Sequence, residues 1–171
     1  MKSITNIWLI IITAVLTTAS SHALHPVVGE KAPEISMENP DGQVIKLSDL
    51  RGKLVLIDFW ASWCRSCRLD NQVLKAMYNR YHDKAMKHGD GFEIYSVSLD
   101  TDPALWKQAI ANDKLNWTNH VSDFKKWDSP IVSDYNFKFI PHNLIIDAEG
   151  TVLAKNLYKD KLRDFLLNES E

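Results

Sequence analysis

Residues 54–60 read LVLIDFW, almost uninterruptedly apolar and rich in strand formers, with Gly52 just before them. Such a run is the pattern of a strand buried on both faces, as in a parallel sheet. Directly after it the period lengthens. Leu69, Val73, Met77 and Tyr81 recur at every fourth residue, joined by Leu74, Tyr78 and Ala85, and Gly89 and Gly91 read as the helix stop. A buried strand that hands over at once to an amphipathic helix commits the chain to an α/β architecture. The hand-over segment, residues 60–68, reads WASWCRSCR and holds the chain's two cysteines, Cys64 and Cys67.

The remaining pattern extends this frame. Residues 24–33, with Pro26, Gly29 and Pro33, read as an exposed lead-in, and residues 34–47 as a hairpin turning at Asn39-Pro40-Asp41-Gly42. Residues 92–99 (FEIYSVSL) form a second strand. Asp102-Pro103 is a cap followed by a first-turn proline, opening a helix to about Asp113. A weaker strand follows at 116–121, and Ser129-Pro130 opens a short helix to about Asn136. Residues 139–147 form a strand with Pro141 near its start, 148–150 a turn, 151–156 a strand and 159–168 a last amphipathic helix. The expected fold class is an α/β sandwich with a mixed sheet.

With 171 residues, 45% of them apolar and 25% charged, the chain has the makings of a globular domain with a sizeable core. A net charge of -2 offers no basic surface to nucleic acid. The first 23 residues stand apart: Lys2, an apolar run from Ile7 to Leu16, then small and polar residues ending in Ser21-x-Ala23. That is the pattern of a secretory signal, and the run is shorter than the ~20 apolar residues of a membrane span. The expected division is a signal peptide at 1–23 and one domain at 24–171. Export, most simply to the periplasm, follows, with membrane contact only if the leader is retained.

Outside the cytoplasm a cysteine pair is ordinarily a disulfide. A bridge closing so short a loop contributes little stability, because that contribution grows with the loop. The spacing therefore points to chemistry. Cys64 falls at the helix N-terminus, where unpaired N–H groups and the helix dipole stabilise a thiolate, and Arg65 and Arg68 add positive charge. Cys67, one turn further in, is within bridging reach and more buried. A two-step exchange needs a base for Cys67, and Asp58, the one charge in the apolar run, is the candidate: burial raises a carboxyl pKa towards neutrality. Pro141, read from the residues alone, suits a strand's first position with an ordinary trans bond.

Three segments carry a family resemblance: residues 28–35 (VGEKAPEI), residues 41–68 (DGQVIKLSDLRGKLVLIDFWASWCRSCR) and residues 135–150 (YNFKFIPHNLIIDAEG). Over about residues 27–167 the chain resembles the thioredoxin superfamily, and within it the exported thiol–disulfide oxidoreductases of the TlpA/ResA type. The resemblance implies a thioredoxin-like three-layer sandwich, a mixed sheet flanked by helices, with an N-terminal hairpin and a central insertion at about 103–121. It implies that Cys64 attacks, Cys67 resolves and Asp58 is the buried acid. Trp63 stands beside the nucleophile, Pro141 is a cis-proline facing the cysteines, and the backbone of Ile140 pairs with the bound substrate chain. Arg65-Ser66 between the cysteines departs from the Gly-Pro of thioredoxin, and polar His142-Asn143 after the proline is expected to affect docking.

The implied activity is reduction of protein disulfides without a cofactor. In an oxidising compartment a reductase needs electrons, which implies a membrane thiol-transfer protein as donor. Two alternatives stay open at this point. A peroxiredoxin-like thiol peroxidase, with antioxidant function, would want a threonine three residues before its cysteine, where this chain has Ala61. A metal-binding module would need ligands beyond Cys64 and Cys67, and His82, His88, His120 and His142 show no ligand spacing.

Overall fold

The computed structural model describes residues 25–170. The expected signal peptide lies outside them. The elements in order are strands β1 (Ser36–Glu38), β2 (Val44–Lys46) and β3 (Leu54–Trp60), helix α1 (Arg65–Tyr81), a small hairpin of β4 (Ala85–Met86) and β5 (Gly89–Asp90), β6 (Phe92–Ser98), α2 (Pro103–Asp113), β7 (His120–Ser122), α3 (Pro130–Asp134), β8 (His142–Ile146), β9 (Val152–Lys155) and α4 (Asp160–Glu169). Seven strands form one mixed sheet in the order β2-β1-β7-β6-β3-β8-β9. Strand β3 lies at its heart, parallel to β6 and antiparallel to β8, and all seven of its residues are buried. This is the thioredoxin-like sandwich, a sheet with helices on both faces.

Alternation along β3 assigns the faces. Asp58 looks towards α1 and α4, sharing a small cavity with Leu74 and Leu162. Phe59 points the other way, where its ring lies 5.0 Å from Tyr135 and 4.5 Å from Phe137. The N-terminal hairpin turns at Asn39, whose Oδ1 accepts the N–H groups of Asp41 at 3.0 Å and Gln43 at 2.8 Å. Helix α2 starts as its residues dictate: Asp102 Oδ1 accepts from the N–H groups of Ala104 and Leu105, and Pro103 fills the first position.

Three expectations need correction. Helix α1 ends at Tyr81, not at Gly89: residues 85–90 fold into the β4–β5 hairpin instead. A Cβ at Gly89 would come within 2.2 Å of Leu54 N, so this glycine lets the hairpin press on the start of β3. The buried stripe of α1 is Cys67, Asn71, Leu74, Met77 and Tyr81, and Leu69 is 65% exposed. Finally, Ser129 stands at the N-cap of α3 with Pro130 at the first helical position, but its side chain makes no capping hydrogen bond; the hydroxyl donates to Asp123 at 2.7 Å.

A polar row runs through the core. His120 of β7, Ser96 of β6, Asp58 of β3 and Asn143 of β8 are successive lateral partners, so their side chains share one face. All four are buried.

Candidate active site

The loop from Trp60 to Cys64 is held at a single residue. Ser62 donates its N–H (2.9 Å) and its hydroxyl (2.6 Å) to the carboxylate of Asp100, which is buried. The same carboxylate accepts from the Ser98 hydroxyl at 2.7 Å. From the other side Arg68 donates to the Ser62 carbonyl at 3.2 Å. Arg68 is itself fixed by Asp113 at the end of α2, which also accepts from Asn71 at 2.9 Å. The expectation for Arg68 therefore changes. Its charge is paired with Asp113, whose carboxyl stays low because hydrogen bonds and positive charge from Arg68 outweigh its burial. It orients the loop, and Arg65 remains the exposed cation beside the cysteines.

That loop delivers Cys64 as the N-cap of α1. Cys64 and Cys67 form a disulfide. Cys64 Sγ accepts the N–H of Cys67 at 3.2 Å and lies 3.5 Å from the Ser66 hydroxyl. Cys64 is 7% exposed and Cys67 1%, so the sulfur nearer the surface belongs to the first cysteine.

Asp58 sits beneath the protein surface, with Oδ2 lacking any protein partner. Its pKa is raised to about 7, by loss of solvation first and by the negative charge of Asp70 second. The small cavity that Asp58 lines reaches Asp70, Pro141 and Tyr158. Trp63 is half exposed on the rim, with Lys126 Nζ 5.2 Å from its ring. Ile140 and Pro141 are half-buried, and the bond between them is cis, so the reading from residue statistics alone is overturned.

His142 and Asn143 are turned inward. His142 stacks on Phe137 with centroids 5.3 Å apart, and desolvation lowers its pKa to about 4. Asn143 holds the segment before α4: its amide donates to the Leu157 carbonyl at 2.8 Å and its oxygen accepts the Leu157 N–H at 2.9 Å. Neither forms the docking surface expected of a polar pair after the proline. Asp100, Ser62 and Tyr158 shape the site without having been singled out for it from the sequence, and Asn143 acts as a clamp rather than in docking. Asp100 had a signal, an acid directly after a buried strand, but one that equally fits a helix cap.

Exposed apolar side chains surround the disulfide. Leu69, Phe139 and Pro141 line a groove with Ser66 on one flank, and Leu105 and Trp63 line a second hollow on the other. Among the described residues, no group of three or more His, Cys, Asp or Glu is arranged to hold a metal ion, and no helix is long and apolar enough to cross a membrane.

The AhpC/TSA family model matches residues 28–155. A thiol-disulfide oxidoreductase ResA from Oceanobacillus iheyensis is 34% identical over 147 residues, covering 81% of this chain and 71% of that protein. The thioredoxin domain of a thiol-disulfide oxidoreductase from Bacteroides vulgatus superposes with a TM-score of 0.72 at 34% identity, covering 82% of this chain and 98% of that one. A thiol-disulfide oxidoreductase from Bacteroides fragilis superposes with a TM-score of 0.72 at 30% identity, covering 81% and 98%.

Proposed function

The chain belongs to the AhpC/TSA family and is a thiol–disulfide oxidoreductase, and from that premise we propose that it reduces protein disulfides in the periplasm. The observation that carries this reading is the Cys64–Cys67 bridge at the start of α1, set among exposed apolar side chains. Export rests on the leader-like pattern of residues 1–23.

In the reduced protein the Cys64 thiolate, stabilised by the free N–H groups of the first helical turn, attacks one sulfur of the substrate disulfide. A mixed disulfide forms and the other substrate sulfur leaves as a thiolate. Asp58 takes the proton of Cys67, and the new thiolate attacks Cys64 Sγ. The protein bridge forms, and the second substrate sulfur is released as a thiolate. A carboxyl with a pKa of about 7 is suited to accept and return a proton at neutral pH. Trp63, Ile140 and Pro141 form the docking edge, the Ile140 backbone pairing with the substrate chain. A dithiol on a membrane thiol-transfer protein then restores both cysteines and is itself oxidised to a disulfide.

Peroxidase chemistry finds less support, because Ala61 supplies no hydroxyl three residues before Cys64. A peroxide-consumption assay separates the two activities. Cys64→Ser is expected to abolish insulin reduction, whereas Cys67→Ser accumulates a mixed disulfide visible by mass spectrometry. Normal insulin turnover by Cys64→Ser would overturn the assignment. A couple poised near or below about −270 mV marks a reductant, and one near −120 mV an oxidant.

A further inference from the structure

The groove beside the disulfide and the cavity over Asp58 share part of their walls: Asp70, Pro141, Tyr158 and Lys159 line both. Of these, Tyr158 makes the specific tie. Its hydroxyl lies 2.9 Å from the Pro141 carbonyl, to which it donates, and 3.0 Å from Asn156 Oδ1. The segment that carries Tyr158 is clamped to β8. Asn143 bonds both backbone groups of Leu157, and its own carbonyl accepts the Asn156 N–H at 2.8 Å. Lys159, next along, has φ 48° and ψ −114°, a backbone that an L side chain takes up only where its surroundings impose it. The segment is thus tied to β8 directly before Tyr158, and the hydroxyl passes that rigidity to the Phe139–Pro141 turn.

We propose that Tyr158 is a positioning residue for polypeptide substrates: through its hydroxyl it fixes the Pro141 carbonyl and hence the backbone edge at Ile140 on which the chain flanking a target disulfide docks. The inference rests on the reading of Ile140 and Pro141 as the docking edge. It goes further in naming the group that holds that edge and in limiting its effect to substrates with a polypeptide chain to dock. A small disulfide makes no use of the Ile140 backbone and needs only access to Cys64.

The test compares Tyr158→Phe with the wild type in the full chain, using insulin as the polypeptide disulfide and 5,5′-dithiobis(2-nitrobenzoate) as the small one. The ring remains, so the wall and the fold are kept. Loss of one hydrogen bond corresponds to an about fivefold fall in kcat/KM for insulin, carried by KM with kcat unchanged. The rate with the small disulfide stays at the wild-type value. An unchanged insulin KM overturns the proposal, and so does an equal fall with both substrates, which would place Tyr158 in the chemistry. Failure of the parent reading shows elsewhere: an insulin KM unchanged in Pro141→Ala would deny the docking edge itself, and insulin turnover by Cys64→Ser the redox assignment.

Discussion

Asp58 is held where its charge is least welcome. It lies in a strand with no exposed position, its neighbours across the sheet are Ser96 and Asn143, and both have other partners: Ser96 accepts from the Trp117 indole and Asn143 bonds Leu157. The folded protein therefore binds this proton more tightly than the unfolded chain, and the Asp58 contribution to stability falls as pH rises from about 4 to about 7. Replacing Asp58 by Asn removes that dependence. The stability difference between variant and wild type, measured by urea unfolding, is expected to move in the variant's favour by about 4 kcal/mol across this range. The same variant should release mixed disulfides slowly. Asp58 could be read from the sequence because it interrupts an apolar run. Asp100 could not, since its partner Ser62 lies 38 residues away and nothing local distinguishes a clamp from a cap.

At the level of elements, glycine explains where the reading of α1 failed. Gly89 and Gly91 resemble a helix stop, yet each is needed for close approach. A Cβ on Gly89 would meet the backbone of Leu54, and one on Gly91, where φ is +98°, would lie 2.4 Å from the His82 carbonyl. Local sequence gives no warning of contact with a strand 35 residues away. Gly89→Ala should cost about 3 kcal/mol by overpacking against main chain that cannot yield. In a chain of this size that lowers Tm by about 6–12 °C. Gly42→Ala, with open space around the site and only a positive φ to oppose it, should cost about 1 kcal/mol. Elements with strong local signals were legible: the β1–β2 hairpin, β3, β6 and the capped start of α2 all lie where their residues suggest. The second cap-like pair also opens its helix, with Ser129 at the N-cap and Pro130 next, although the Ser129 hydroxyl donates to Asp123 and accepts nothing from the first turn.

For the molecule as a whole, three buried titratable side chains, two histidines and Asp58, set how folding responds to acid. His120 and His142 are driven down to about 4 by desolvation, so the unfolded chain binds their protons more readily between about 4 and 6.5, and stability rises with pH there. Asp58 acts in the opposite sense over about 4 to 7. Two groups outweigh one below about 6.5, and from there to pH 8 the remaining histidine gain and the Asp58 loss nearly cancel. The urea midpoint is therefore expected to climb from pH 5 to about pH 7 and to level off towards pH 8. In Asp58→Asn the climb is steeper, and an unchanged climb would contradict this. The architecture has one more result. The sulfur proposed as the nucleophile is also the group that caps a 17-residue helix, accepting the Cys67 N–H. Whenever that sulfur changes its bonding partner, the opening turn of α1 is retied, so deuterium uptake at this one amide becomes a gauge of where the electrons stand.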